Sequence, residues 1–228
     1  MNKKHHPNDA SMIAYAAGAL DPSMALVVSS HLEACSTCQN NYQLALNIGG
    51  TILEQQPNTE LFSDSFDQLW DKVLTCNKES KQPDPTPEHS NDLPKTLAPH
   101  LPTGLEGISW QQLSSKIHYY SLPAFKSRQG WVRLFKFLPG AVIPVHSHQY
   151  QEMSLVLQGG YADELGSYYP GDLSDLDNEI QHSPVITGDT PCIALIATEG
   201  NLHYKKLQHR LTHWCLSAYS RAFSQDAT

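Results

Sequence analysis

Apolar positions follow two different rhythms along this chain. Up to about residue 76 they recur at the 3.6-residue period of helices, and beyond residue 100 they come in short strand-like runs between glycine and proline turns. Asn8 or Asp9 can cap a first helix carrying Met12, Ile13, Ala16 and Leu20. Asp21-Pro22, an N-cap followed by proline at the first helical position, starts a second helix running to about Glu33 with His31 in its last turn. A third begins near Ser36 and carries Tyr42, Leu44, Leu46, Ile48, Ile52 and Leu53, although Gly49-Gly50 weakens it locally. Ser63-Asp64 caps a fourth, with Phe66, Leu69, Trp70, Val73 and Leu74 on one side. Three helices suffice for a small unit, so this fourth stripe is free to pack on something else.

From Asn77 to His100 the periodicity vanishes. Pro83, Pro85, Pro87, Pro94 and Pro99 alternate with polar residues, the pattern of an extended linker across which little packing is expected. Strand-like runs follow at Ile117–Leu122, Trp131–Phe137, Glu152–Gln158, Tyr161–Leu165 and Cys192–Thr198. Pro139-Gly140, Gly159-Gly160, Pro170-Gly171-Asp172 and Gly188-Asp189 punctuate them, which points to a β-sandwich or barrel. A weak helical pattern covers Leu207 to Phe223. The chain is thus a multi-domain α plus β protein, divided as residues 1–76, a linker at 77–100, a β domain at 101–210 and a tail at 211–228.

Composition narrows the function. The 228 residues allow one large domain or two small ones. No run of eighteen apolar residues predicts a membrane span, and Met-Asn-Lys-Lys-His-His-Pro at the start lacks the apolar core of a secretory signal. Five cysteines, two of them in a ligand-like motif, argue against a disulfide framework and for a reducing, cytoplasmic setting. A net charge of −8 argues against direct nucleic-acid binding but suits a protein partner with a basic face.

Two constellations carry metal chemistry. The first is His31-Leu-Glu-Ala-Cys35-Ser-Thr-Cys38, with an imidazole and two thiols at i, i+4 and i+7, which fall along one face of a helix. These are three of the four ligands of a closed tetrahedral zinc site, and His5-His6 offers the fourth from either residue. A redox dithiol is the competing reading of Cys-x2-Cys, but such motifs follow a strand, and nothing before Cys35 reads as one. Cys38 falls in the first turn of the third helix, where the dipole favours a thiolate.

The second is Gly140-x5-His146-x-His148-x3-Glu152-x6-Gly159, with His182 some way downstream. Residues two apart in a strand share a face, so His146 and His148 point together, with Glu152 on the next strand. Three histidines and a carboxylate suit zinc, iron, manganese or nickel.

This second pattern matches the first signature of the cupin superfamily, small jelly-roll β-barrels. Pro170-Gly171 followed by His182 resembles the second signature, with a longer interval and without the usual downstream asparagine. The order of the whole chain, His6-x24-His31-x3-Cys35-x2-Cys38, then a proline-rich linker, then a metal-binding cupin, resembles the ChrR-type zinc anti-sigma factors of bacteria. That resemblance implies zinc on His6, His31, Cys35 and Cys38. It implies zinc or another divalent transition metal on His146, His148, Glu152 and His182. It further implies a non-enzymatic transcriptional regulator, whose helical module sequesters an extracytoplasmic-function sigma factor. The cupin would promote release under oxidative stress, such as singlet oxygen or organic peroxide. The rival expectation is a cupin-type enzyme, a dioxygenase or isomerase, with the zinc module as a docking unit. Cys76, Cys192 and Cys215 take no role, and Cys192, in an apolar run, reads as a buried inert thiol.

Overall fold

A computed structural model describes residues 4–57, 63–75, 93–122, 125, 130–199 and 202–204. The expected helix from Leu207 to Phe223, most of the linker, Cys76 and Cys215 lie outside these residues. Four helices open the chain: α1 (Asp9–Ala16), α2 (Pro22–Leu32), α3 (Ser36–Glu54) and α4 (Ser63–Thr75). Their starts follow from capping chemistry. The Asn8 side chain accepts from the Ser11 N–H at 2.8 Å, and Asp21 accepts from the Ser23 N–H at 2.8 Å with Pro22 behind it. Cys35 is the N-cap of α3 and makes no capping hydrogen bond, which leaves its sulfur for other partners.

Eleven strands follow among the described residues: β1 (Gln111–Gln112), β2 (Ile117–Ser121), β3 (Gly130–Phe137), β4 (His146–His148), β5 (Glu152–Gln158), β6 (Tyr161–Asp163), β7 (Gly166–Tyr168), β8 (Leu173–Leu176), β9 (Val185–Ile186), β10 (Cys192–Glu199) and β11 (Leu202–Tyr204). One sheet has the order β1-β2-β3-β10-β5-β8, and two smaller ones, β7-β6-β9 and β11-β4, make up the opposite wall. Every pairing is antiparallel, as in a jelly roll.

The large sheet has two distinct faces. Val132, Leu134, Met153, Leu155, Leu195 and Ala197 point outward into one buried cluster. Phe137, Val156, Tyr161, Tyr168, Ile186 and Cys192 fill a second cluster between the sheets. Cys192 is fully buried, as its apolar run suggests.

The outer cluster corrects one expectation. Met24, Val27 and Val28 of α2 are essentially fully buried in it, together with Leu97 and Leu101. The helical part therefore packs on the β domain through α2, and the segment 93–100, expected to be linker, packs against the core through Leu97 and Ala98. The reason is local: Leu97, Ala98 and Leu101, on either side of Pro99, supply an apolar surface. The Glu33 carboxylate clamps the same segment, accepting from the Lys95 N–H, the Thr96 N–H and the Thr96 hydroxyl at 2.7–2.8 Å.

Candidate metal centres

The helix break between α2 and α3 builds the first site. His31 sits in the last turn of α2, Cys35 caps α3 and Cys38 lies in its first turn. The motif thus spans a junction rather than one continuous helix, and the junction turns all three side chains inward. The N-terminal arm brings His6 to them, so that one ligand atom from each of His6, His31, Cys35 and Cys38 lies within 4.8 Å of the others. His6 Nδ1 is 3.4 Å from Cys35 Sγ and 3.2 Å from Cys38 Sγ, and His31 Nε2 is 3.3 Å from Cys38 Sγ. His5 is not in the group: its ring stacks on Tyr168 at 4.1 Å.

The donor set fits zinc. Tetrahedral Zn–S and Zn–N bonds imply nitrogen-to-sulfur separations of roughly 3.5 Å, close to those seen. The His31 Nδ1–H donates to the Gly171 carbonyl at 2.8 Å, which leaves the Nε2 lone pair facing Cys38. Burial and the neighbouring Cys35 push the Cys38 thiol up to about 12. Desolvation therefore outweighs the helix dipole expected to favour the thiolate, so Cys38 is a neutral thiol unless a bound cation stabilises the thiolate.

In the second site, reciprocal backbone hydrogen bonds hold His146 opposite His182, with N–H to carbonyl distances of 3.1 and 3.2 Å. The Nε2 atoms of His146 and His148 each lie 3.2 Å from Nε2 of His182. The His146 Nδ1–H donates to the Pro144 carbonyl at 2.8 Å, and the His182 Nδ1–H to Asp163 Oδ2 at 2.9 Å. Burial and the neighbouring imidazoles lower His146 to about 4 and His148 to about 3, so both rings are neutral. Three buried Nε2 atoms that converge on one point make a candidate cation site by donor chemistry. Glu152 stands at its edge, with Oε2 3.3 Å from His148 Nδ1 in a geometry too oblique for a hydrogen bond. Burial raises its carboxyl to about 7.

Four neighbouring residues carry no mark of their role in the sequence. Asp163 orients His182, Gly171 meets His31 and Asp172 meets the N-terminal arm; the Pro-Gly-Asp motif signals only a turn. Arg133 is the fourth. The register Glu152↔Thr198↔Trp131 and Ser154↔Ile196↔Arg133 sets it on the inner face of the sheet that carries Glu152, with its guanidinium 4.5 Å from the Trp131 ring centre and 5.2 Å from that of Tyr119.

Comparison with known proteins bears on both halves. Residues 103–201 match the family described as ChrR Cupin-like domain. The anti-sigma-E factor ChrR of Cereibacter sphaeroides is 29% identical over 211 residues, covering 92% of this chain and 97% of that protein. The crystal structure of Rhodobacter sphaeroides SigE in complex with the anti-sigma ChrR includes a chain matching with TM-score 0.69 and 30% identity. That match covers 86% of this chain and 99% of the other. The chain belongs to the ChrR family of anti-sigma factors. A match over this share of the chain extends well beyond the cupin-like region at residues 103–201. No described helix is long and apolar enough to cross a membrane.

Proposed function

We propose that this chain sequesters an extracytoplasmic-function sigma factor in the cytoplasm, withholding it from RNA polymerase, and that it has no enzymatic activity of its own. The observation that carries this is the likeness to ChrR along nearly its whole length, helices included. The surface supports it. Leu44, Ile48, Ile52 and Leu53 of α3 and Phe66, Leu69, Trp70 and Val73 of α4 are all exposed in the chain alone. Apolar stripes of that extent suit a helix-binding protein partner.

In this reading residues 1–76 hold the partner, with zinc on His6, His31, Cys35 and Cys38 as a structural ion. The cupin, within residues 101–210, holds a divalent transition metal on His146, His148 and His182 with Glu152 beside them, and senses oxidant. The chain should be co-expressed with candidate sigma factors in a bacterium. Recovery of a stoichiometric complex that cannot start transcription is expected, and a full chain that purifies alone in the presence of every such candidate would overturn the reading. One observation favours a second possibility: the Glu152 carboxyl, titrating near neutrality beside three imidazoles, has the properties of a general base. Metal-dependent turnover of a small substrate, lost in Glu152→Gln, would establish that alternative.

A further inference from the structure

The N-terminal metal site is surrounded on one side by the cupin. His31, one of its four candidate ligands, donates its Nδ1–H to the carbonyl of Gly171, in the turn between β7 and β8. The next residue, Asp172, is buried and carries the arm that delivers His6. Its Oδ1 accepts from the Lys4 N–H at 2.9 Å and lies 3.5 Å from the His5 nitrogen. Its Oδ2 accepts from the Tyr169 N–H at 2.9 Å, which fixes the carboxylate in the turn. The Leu173 N–H donates to the His5 carbonyl at 3.2 Å, and the His5 ring stacks on Tyr168. Further along the arm, the Asn8 N–H donates to Asp175 Oδ2 at 3.0 Å. Two of the four ligands are thus positioned by a single cupin turn, while Cys35 and Cys38 come with their own helix.

We propose that the cupin turn Tyr168–Leu173 is the outer shell of the N-terminal metal site, with Asp172 as the residue that positions His6 and the Gly171 carbonyl as the group that orients His31. The proposal rests on the reading of that cluster as a zinc site. Its physical content is preorganisation. An arm with no secondary structure of its own delivers His6, and unless it is tethered, closing it on the metal costs the entropy of ordering several residues. An oriented imidazole with its other nitrogen already donating binds metal more tightly than a freely rotating one. The β6–β7 hairpin just before this turn holds His182 through Asp163, so one continuous strip of backbone touches candidate ligands of both centres. That strip gives a change at the cupin site a contiguous path to the N-terminal ligands.

The test is zinc affinity in the full chain, measured by competition with a chromogenic chelator and by the thiolate-to-cobalt bands of the cobalt-substituted site. Asp172→Ala is expected to weaken N-terminal binding by about 10–100-fold, the usual effect of losing an outer-shell partner, while two thiolates still appear in the cobalt spectrum. Lys4→Pro removes the hydrogen bond from the Lys4 N–H to Asp172 Oδ1 without altering the cupin, and should move affinity in the same direction. It serves as the deciding variant if Asp172→Ala proves unfolded. Asp172→Asn, which keeps an acceptor for the Lys4 N–H, should recover part of the loss. Wild-type affinity in Lys4→Pro and in a folded Asp172→Ala protein would overturn the proposal and leave the zinc site standing. Absence of thiolate-bound cobalt in the wild type would instead remove the site itself.

Discussion

Cys38 illustrates what burial does to the thiol of a candidate ligand. It is fully buried beside Cys35, and that burial makes the bare thiolate costly enough to lift the thiol far above its ordinary range. Among the described residues, Met12 is the one other buried apolar side chain clustered with the pair, with Leu32 and Tyr42 partly covered, so apolar packing alone gives the α2–α3 junction little support. Zinc binding to small modules contributes on the order of 10–16 kcal/mol, comparable to the whole net stability of a domain. Cys35→Ser or Cys38→Ser is therefore expected to release the metal, loosen α1 and α3, and abolish partner binding. Met24, Val27 and Val28 should keep α2 against the sheet, and the cupin should retain its own metal. Elemental analysis should find two metal ions per wild-type chain and one per variant, with helical content reduced. A variant that binds its partner with unchanged affinity would count against a structural role for the zinc.

At the level of elements, the junction between helices and sheet carries predictions of its own. Burying each of Met24, Val27 and Val28 is worth roughly 1.5–3 kcal/mol, so a segment cut near Pro83 exposes a face that the full chain covers. That fragment should still bind the partner when saturated with zinc, but the amides of α2 should exchange faster than in the full chain. A folded fragment that fails to bind would show that the cupin takes part in inhibition directly. The Glu33 clamp adds a pH dependence. Partial burial works to raise its carboxyl, but the hydrogen bonds from Thr96 and Lys95 prevail and hold it below its ordinary value. A depressed carboxylate contributes stability that is present above its unfolded pKa, about 4.3, and lost as pH falls through the lower folded value. Exchange protection at Lys95 and Thr96 should therefore fade only on acidification below about pH 4.3, and Glu33→Gln should lack that step. The sequence disclosed the helix starts because Asn8, Asp21-Pro22 and Ser36 are local signals, and Glu152–Gln158 because its run is bounded by a metal motif and a Gly-Gly turn. It did not disclose β7, β8 or β9, which are too short to show periodicity. It also hid the docking of α2, since a fully apolar face reads alike whether it meets helices or a sheet. His31, Cys35, Cys38, His146, His148 and His182 were legible as candidate ligands from the motifs, whereas spacing left His5 and His6 open and Glu152 stands outside the converging set. The orienting partners Asp163, Gly171 and Asp172 were not legible, because a turn motif carries no mark of what its carbonyl and carboxylate will meet.

For the whole molecule, the proposed function requires that one of the two candidate centres convert an oxidant into release of the partner. Two routes would serve. In one, the cupin metal reacts, and the change passes through the β6–β7 hairpin, whose Asp163 holds His182 and whose Tyr168 packs on His5. In the other, oxidant attacks the Cys35 and Cys38 sulfurs directly and ejects zinc without help from the cupin. Linkage separates them, because a signal shifts an equilibrium only through a group whose interactions differ between the bound and released states. Burial disfavours the second route: both sulfurs are nearly inaccessible, and a metal-bound thiolate is a poorer nucleophile than a free one. His148→Ala removes one of the three converging Nε2 atoms while leaving the turn at Gly171 and Asp172 in place. The variant is therefore expected to inhibit its partner normally and to fail to release it under singlet oxygen or an organic hydroperoxide, while the proposed function expects the wild type to let go. Release should be followed by the fluorescence anisotropy of a labelled partner, with N-terminal zinc monitored in parallel. If the variant releases its partner as fast as wild type under both oxidants, with zinc leaving at the same time, the thiolates are the sensor and the cupin metal has another use.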